Sequence, residues 1–138
     1  MREYRESTFC MYTDILFGRG TERQVAEKIR RHGGTKVMLV YGGGSIKRSG
    51  LYDTVVEVLN GAGIPFAELG GVQPNPRRSL AEQGLATARS ANVDMVLGLG
   101  GGSAIDTAKA IALGLANGGE FWSFFQGKTP QKMLKVGT

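Results

Sequence analysis

Residues 93–116 decide the fold of this 138-residue chain, and they have the sequence VDMVLGLGGGSAIDTAKAIALGLA. The apolar run Met95–Leu99 has the length and composition of a strand that is buried on both faces of a parallel sheet. Three glycines follow it, and from Ser103 onward apolar side chains recur at helical spacing. The stretch therefore predicts a strand, a glycine turn and a helix in direct succession.

This succession predicts an anion site at the start of the helix. Gly101 and Gly102 let the backbone approach a ligand closely, while the first N–H groups of the helix and its dipole favour negative charge. The anion that we expect is the diphosphate of a dinucleotide. A second interpretation stays open, because Gly98–Gly100 is only part of the Gly-x-Gly-x-x-Gly fingerprint and Ser103 with Asp106 also fits a capping box.

A strand followed by Gly-Gly-Gly-Ser occurs a second time, earlier in the chain. Residues 36–41 predict a buried strand, and a helix over about 49–60 and a short strand over 65–69 are expected after it. The loop between the first strand and that helix begins with Gly42, Gly43, Gly44 and Ser45. In the next loop, 70–76, two prolines fix the backbone around Asn75, which faces a ligand, N-caps the helix that runs to about Ser90, or does both.

The two ends of the chain carry weaker patterns. Residues 9–17 predict extended structure, either an edge strand or a hairpin. Thr21–Gln24 fits a capping box, and the helix behind it ends at two glycines, so His32, the only histidine, is expected to be a helix-end residue and not a ligand or a base. Aromatic residues over 120–126 favour packing over base stacking, and 133–138 predicts the start of another strand.

The alternation of strands and helices predicts an α/β domain with a mainly parallel sheet, helices on both faces and right-handed crossovers. Ligands of such sheets lie beyond the carboxyl ends of the strands. The loops 42–45, 70–76 and 100–103 all fall at that edge. Their coincidence supports a dinucleotide site more strongly than any one motif does.

Composition limits the function classes. A hydrophobic fraction of 41% and a charged fraction of 21% are typical of one globular domain. One cysteine, Cys10, excludes an internal disulfide, and neither a secretory signal nor a bilayer-spanning run is present, so we expect a cytoplasmic protein without a membrane partner. The net charge of +5 is spread over the chain without aromatic partners, so we expect no nucleic-acid binding. A basic nucleic-acid binder and a stand-alone nucleotide-binding module without catalysis stay as alternatives.

Four blocks of sequence resemble the iron-containing (group III) alcohol dehydrogenases, in their butanol-dehydrogenase-like branch. The blocks are Phe17–Gly20, Tyr41–Gly50, Leu69–Pro76 and Gly100–Lys109. The resemblance implies a Rossmann-like N-terminal domain similar to that of dehydroquinate synthase, and reversible hydride transfer between a primary alcohol and an aldehyde. It also implies that Gly101, Gly102 and Ser103 hold the diphosphate, that Asn75 approaches the cofactor, and that Asp106 lies toward the nicotinamide.

The resemblance also bears on which nicotinamide cofactor is used. Many family members carry an Asp directly after the strand that ends here at Tyr41, whereas this chain has glycines there, with Ser45, Lys47 and Arg48 behind them. Cations in place of a carboxylate suit a 2′-phosphate, so NADP(H) is favoured over NAD(H), unless Lys47 and Arg48 are merely solvated. The predicted cofactor-binding residues are Gly42, Gly43, Gly44, Ser45, Lys47, Asn75, Gly101, Gly102, Ser103 and Asp106.

The chain departs from the family in one respect. Family members have a second, helical domain that supplies one Asp and three His to iron or another divalent metal, whereas this chain has a single His. We therefore expect residues 1–138 to be an incomplete dinucleotide-binding domain that binds nucleotide without catalysis, truncated before the metal-binding domain. No catalytic or metal-binding residue is predicted within it. The exposed truncated face is expected to cause self-association or homo-oligomer formation.

Overall fold

A computed structural model describes residues 13–74, 78–118 and 136–137, and the structural statements below concern these residues. Its sheet has four parallel strands in the order β2-β1-β3-β4. The strands are β1 (Val37–Tyr41), β2 (Phe66–Leu69), β3 (Met95–Leu99) and β4 (Val136–Gly137). Each of the three longer ones had been expected within one residue of these bounds, and the predicted parallel α/β architecture is confirmed.

Helices connect these strands. A 3-10 turn, Thr21–Gln24, precedes the first of them. The α-helices are α1 (Val25–Arg31), α2 (Ser45–Arg48), α3 (Leu51–Gly61), α4 (Arg78–Ser90) and α5 (Gly102–Asn117). The helix expected over about 49–60 is α3, and the loop expected before it contains a further short helix, α2, which is separated from α3 by Gly50 at φ +80.

The helices cover both faces of the sheet because β1 and β3 are buried on both sides. Alternate strand residues such as Leu39 and Leu97 pack against α1 and α3, where Leu59 is fully buried. The intervening residues, such as Val40 and Val96, pack against α4 and α5. Burial of one large aliphatic side chain contributes about 1.5–3 kcal/mol, so these two clusters supply most of the driving force for folding.

Helix α5 packs closely on β3 because its contact positions are small. A Cβ added at Gly98 would lie 3.2 Å from Ala108 Cβ and 3.3 Å from Ile105 Cα. A Cβ at Gly114 would lie 2.7 Å from the Leu85 side chain of α4. These glycines let the helix axes approach, and the close approach fixes where the first turn of α5 lies relative to the end of β3.

The amino ends of β1 and β3 are joined by one carboxylate. Asp94 accepts hydrogen bonds from the backbone N–H of Thr35 at 2.9 Å and of Lys36 at 3.0 Å, and from the Thr35 hydroxyl. Burial opposes the charge of Asp94, but the bonds from Thr35 and Lys36 outweigh it, so the pKa of this carboxyl lies below its usual value. Asp94 therefore holds the edge of the sheet that lies opposite the glycine loops.

Several predicted details differ from the structure or lie outside it. No capping box forms at Thr21, whose hydroxyl donates instead to the Gly18 carbonyl at 3.0 Å. Residues 13–17 form neither a strand nor a helix, and residues 9–12 lie outside the described residues. The aromatic segment 120–126 also lies outside them, while the strand expected over 133–138 is present as β4.

Candidate functional site

The three glycine loops meet at the carboxyl edge of the sheet, as predicted. Tyr41 and Leu99, the last residues of β1 and β3, are paired in register, so the loops after them begin side by side. The direction of strand succession reverses between β1 and β3, because β2 lies on one side of β1 and β3 on the other. Ligands of open parallel sheets bind in the crevice that opens at such a reversal.

The loop after β2 is bonded directly to the loop after β1. The backbone N–H of Gly71 donates to the Gly42 carbonyl at 3.0 Å, and that of Val72 donates to the Tyr41 carbonyl at 3.1 Å. Gly70 lies against the Tyr41 ring, since a Cβ added there would be 2.7 Å from Tyr41 Cε2. The loops 42–45 and 70–74 therefore form one rigid wall of the crevice.

The first turn of α5 begins at the same edge of the sheet, directly after β3. Gly101 is the N-cap, with φ −82 and ψ −175, and its carbonyl accepts from the N–H groups of Ala104 at 3.1 Å and Ile105 at 3.2 Å. Within the described part of the chain, the N–H groups of Gly102 and Ser103 have no backbone acceptor. The first turn contains no acidic residue that would repel an anion. These amides are the unsatisfied donors of a helix N-terminus, where negative charge is stabilised.

The capping-box interpretation of this helix is wrong. Ser103 is the second helical residue and not the N-cap, and no side chain bonds to the cap. The residue that does cap, Gly101, has no side chain with which to satisfy the open amides. The donors of the first turn therefore remain available to a ligand.

The glycines also leave the space that a diphosphate needs. A Cβ added at Gly101 or at Gly102 would meet no atom of the described residues within 4 Å. Gly100 adopts φ +115, a conformation that side chains disfavour, and it turns the backbone from β3 into the crevice. Open amides beside open space fit the diphosphate of a dinucleotide.

The residues predicted after β1 lie together on the wall formed by the loops 42–45 and 70–74. The Gly42 carbonyl is bonded to Gly71, and Gly43 is exposed with open space where a Cβ would stand. Gly44 caps α2, Ser45 is the first residue of that helix, and both are exposed. The loop therefore offers short, accessible backbone at the place where the cofactor adenosine was expected.

Lys47 belongs to a cluster that the sequence did not predict. Its Nζ lies 4.9 Å from the ring centroid of Tyr52 and 5.6 Å from that of Tyr41. The two rings meet edge to face at 5.3 Å, and the Tyr52 hydroxyl donates to Glu68 Oε1. The bond to Glu68, with burial and the charge of Glu68, raises the pKa of Tyr52 to about 12. One signal in the sequence could have pointed to this cluster. Strand β1 is otherwise aliphatic but ends in an aromatic residue, Tyr41.

The remaining predicted site residues are placed as follows. Asp106 is exposed on α5, one turn beyond Gly102 and on the same side of the helix. Ser103 is partly exposed, and its carbonyl accepts from the buried Thr107 hydroxyl at 2.8 Å. Asn75 lies outside the described residues. Of the ten predicted residues, the structure thus brings those after β1 and those at the start of α5 to one crevice.

The histidine takes no part in this crevice. His32 ends α1, as predicted, with Nε2 3.2 Å from Asp14 Oδ2, and Lys28 Nζ lies 2.7 Å from the same oxygen. The bonds from Lys28 and His32 lower the pKa of Asp14. This ion-pair cluster lines a cavity of about 680 Å³ between α1, α3 and β3, which reaches the glycine loops at Gly100.

Two further findings concern the described residues as a whole. They contain no group of three or more His, Cys, Asp or Glu side chains that could hold a metal ion, so the ligand set of a metal centre is not among them. No helix in the described ranges combines the length and the apolar character that crossing a bilayer requires.

The chain is similar in sequence to proteins of one known family. The family model for iron-containing alcohol dehydrogenase matches residues 13–138. A probable NADH-dependent butanol dehydrogenase 1 from Bacillus subtilis is 47% identical, over 95% of this chain and 34% of that protein. The NADPH-dependent butanol dehydrogenase of Clostridium saccharobutylicum is 39% identical, over 75% of this chain and 26% of that protein.

A solved structure extends the similarity to three dimensions. The crystal structure of an NADH-dependent butanol dehydrogenase A from Thermotoga maritima superposes with a TM-score of 0.90 at 43% identity, covering 95% of this chain and 33% of that one. The present chain therefore spans about a third of the length of the Bacillus subtilis and Thermotoga maritima proteins.

Proposed function

Because the chain belongs to the iron-containing alcohol dehydrogenase family, we propose that residues 1–138 are the dinucleotide-binding part of an NAD(P)H-dependent oxidoreductase. The reaction of the intact protein would be reversible hydride transfer between a primary alcohol, of the butanol type, and its aldehyde. The chain by itself binds nucleotide without catalysing that reaction. The single Cys10 suits a reducing compartment, and we place the protein in the cytoplasm.

The first turn of α5 carries this proposal. The amides of Gly102 and Ser103 have no backbone acceptor among the described residues, and a Cβ added at Gly102 would meet no described atom within 4 Å, at the edge of the sheet where ligands bind. A charged acceptor bonded to a backbone N–H contributes about 1.5–3 kcal/mol, so two such bonds supply a substantial part of the affinity for a diphosphate.

We assign the other predicted residues to the two halves of the cofactor. Gly42, Gly43, Gly44, Ser45 and Lys47 receive the adenosine half, because their loop forms one wall of the crevice. Asp106 lies toward the nicotinamide half, one turn along α5. Asn75, in the third loop, approaches the cofactor between them. The bound nicotinamide would supply or accept the hydride, while these residues bind and orient it.

None of these residues is assigned to the metal of the family. The described residues hold no ligand set for iron or another divalent cation, so no step that depends on a metal is assigned to them. The metal, the alcohol or aldehyde pocket and the catalytic residues are proposed to belong to the intact parent.

The choice between NADP(H) and NAD(H) follows from charge. Lys47 and Arg48 stand close behind the glycine loop, and no carboxylate occupies residues 42–45, so we propose NADP(H) as the preferred cofactor. The names of the relatives include both cofactors, NADH for the Bacillus subtilis protein and NADPH for the Clostridium saccharobutylicum one. A direct comparison of the two cofactors is therefore part of the test.

Calorimetric titration of the purified 138-residue chain with NADPH, with NADH and with a short DNA duplex tests the proposal. We expect saturable one-to-one binding of at least NADPH, and no DNA binding that survives moderate salt. Absence of binding by both dinucleotides, together with tight DNA binding that weakens steeply with salt, would replace the proposal by a nucleic-acid function.

We also propose that the chain associates with itself. Phe17 and Ile15 are 97% and 73% exposed, an unusual state for neighbouring large apolar side chains. Light scattering over a range of protein concentrations should show a mass above that of the monomer. A variant with both Phe17→Ser and Ile15→Ser should shift toward the monomer. An unchanged mass distribution would show that Phe17 and Ile15 do not form the contact between chains.

A further inference from the structure

We propose that residues 13–17 form a strap that Asp14 latches across the cavity behind the glycine turn at Gly100, and that closure of this strap strengthens dinucleotide binding. Asp14 is a positioning residue in this proposal, because it acts through the strap and not by contact with the cofactor. The inference rests on the proposed dinucleotide function and adds to it a conformational control from outside the crevice.

One carboxylate attaches the strap to the end of helix α1. Asp14 Oδ2 lies 2.7 Å from Lys28 Nζ and 3.2 Å from His32 Nε2. Arg31 Nη1 lies 3.9 Å from the same oxygen. The bonds from Lys28 and His32 lower the pKa of Asp14, so the carboxylate is charged at neutral pH. Basic side chains from a single helix end thus converge on one oxygen of the strap.

The other end of the strap is a glycine hinge. Gly18 has φ +155 and Gly20 has φ +73, conformations that residues with a side chain disfavour. The Thr21 hydroxyl donates to the Gly18 carbonyl at 3.0 Å and joins the hinge to the 3-10 turn before α1. A segment that is held by a latch at one end and by a hinge at the other pivots as a unit when the latch opens.

The side chains of the strap alternate between its two faces. Asp14 is bonded to α1 and Leu16 lines the cavity, whereas Ile15 and Phe17 are 73% and 97% exposed. Such alternation is the pattern of an extended chain. Because Leu16 follows Asp14 by two residues on the same face, closure of the latch places Leu16 over the cavity.

The closed strap covers the cavity that lies behind the glycine turn. Leu16 lines this cavity of about 680 Å³ from the strap, and Leu99 and Gly100 line it from the end of β3 and from the turn. Gly100 leads directly to the amides of Gly102 and Ser103, where the diphosphate is proposed to bind. An open strap would admit water and remove a packing partner from the apolar side chains behind the turn, so the turn would be held less firmly.

The coupling between the strap and the diphosphate site is reciprocal. A dinucleotide that binds better when the turn is held must favour the closed strap by the same factor. An exposed ion-pair cluster shifts such an equilibrium by about threefold to tenfold, and the apparent affinity falls by no more than that factor. Because NADPH and NADH carry the same diphosphate, the effect on the two cofactors is equal.

Trypsin cleavage after Arg19 reports the state of the strap, because Arg19 is exposed in the hinge and its cleavage requires local opening. The product that begins at Gly20 is quantified by mass spectrometry, at one fixed protein concentration, for wild type, Asp14→Asn and Asp14→Glu. Glu57→Gln is the matched control, because it removes the same charge from an exposed position in the middle of α3. Calorimetry measures the affinities of these chains for NADPH and NADH, and urea unfolding midpoints verify that each chain is folded.

We expect Asp14→Asn to be cleaved after Arg19 about threefold to tenfold faster than wild type, and to bind both cofactors about threefold more weakly. Asp14→Glu keeps the carboxylate and should restore most of both properties, while Glu57→Gln should match wild type. Saturating NADPH should slow the cleavage of wild type. In about 1 M salt the rates of wild type and Asp14→Asn should approach each other, because salt screens exposed ion pairs.

The latch, the coupling and the proposed function fail in different ways. Equal cleavage of Asp14→Asn and wild type would contradict the latch. Faster cleavage of Asp14→Asn with unchanged affinity for both cofactors would contradict the coupling of the strap to the glycine turn, and so would a loss confined to one cofactor. A wild-type chain that binds neither dinucleotide contradicts the proposed function and with it the coupling, whereas the cleavage rates still decide whether the latch exists.

Discussion

Replacement of Asp94 by Asn should destabilise the domain in a manner that depends on pH. The carboxylate accepts from two backbone N–H groups and from the Thr35 hydroxyl, and these bonds join the amino ends of β1 and β3. An amide keeps the shape but can accept at only one of its two terminal atoms. Hydrogen bonds to a charged acceptor contribute about 1.5–3 kcal/mol each, and since Asp94 is partly exposed we expect a loss of about 2 kcal/mol.

The sign of the pH dependence follows from the lowered pKa of Asp94. The folded state favours the charged form, so its pKa lies below the unfolded value of about 3.9, and the stabilisation is complete only above that value. It is lost as the pH falls through the lower, folded-state pKa. Wild type and Asp94→Asn should therefore differ by about 2 kcal/mol near neutral pH and converge as the pH falls through the lowered pKa of Asp94.

Urea unfolding monitored by circular dichroism, at a series of pH values, measures this difference. Glu57→Gln is the matched control, because Glu57 is exposed in the middle of α3 and makes no hydrogen bond or ion pair with other described residues. The control should follow wild type at every pH. An Asp94→Asn curve that runs parallel to wild type down to the lowest pH would refute the assignment of the stabilisation to the charged carboxylate.

Further predictions concern the glycines and the tyrosine pair. Gly98→Val should lower the free energy of unfolding by about 1–3 kcal/mol, because the new side chain meets the backbone of α5 at Ile105. It should also weaken nucleotide binding. Urea unfolding midpoints measure the first effect, and calorimetry measures the second. Gly100→Ala should cost about 1–3 kcal/mol from strain at φ +115, and an unchanged midpoint would contradict that conformation. Phenolate absorbance is titrated in wild type and in Tyr52→Phe, and the difference between the two curves reports Tyr52. Its midpoint should lie near pH 12, whereas a midpoint near pH 10 would contradict the bond to Glu68.

The sequence predicted those parts of the fold that depend on local pattern. The buried run Met95–Leu99 and the apolar stripe behind Ser103 were assigned correctly, because burial on both faces and helical periodicity leave direct marks in a sequence. Parallel strands joined by helices also place all their carboxyl-end loops at one edge. The sequence therefore predicted the edge of the sheet at which these loops lie.

Other features depended on competition between local signals, which a sequence does not resolve. Thr21 and Ser103 both had the residue types of a cap, but glycine occupied the N-cap position in each case, at Gly20 and Gly101. The short helix α2 was not predicted, because the glycines before it and Gly50 after it are typical of a loop.

The contacts among Tyr41, Tyr52 and Glu68 could not be predicted because these residues lie on three separate elements. Tyr41, Tyr52 and Glu68 lie on β1, α3 and β2, and the pairing of β1 with β2 and the packing of α3 on the sheet bring them together. Their local sequence marks only Tyr41, as an aromatic residue at the end of an otherwise aliphatic strand, and not its partners. The same holds for the bonds that join the loops after β1 and β2, which depend on strand register.

Titration of NADPH and NADH into Gly101→Val, with Gly61→Val as control, tests the central claim most directly. Gly101 has an extended backbone conformation, and neither residue has a described neighbour within 4 Å of an added Cβ, so both variants should fold. Gly61 ends α3, away from the crevice. We expect wild-type affinity in Gly61→Val and a loss of at least about a hundredfold in Gly101→Val, the lower end of what two charge-assisted bonds to the diphosphate contribute. Wild-type affinity in a folded Gly101→Val chain would contradict it.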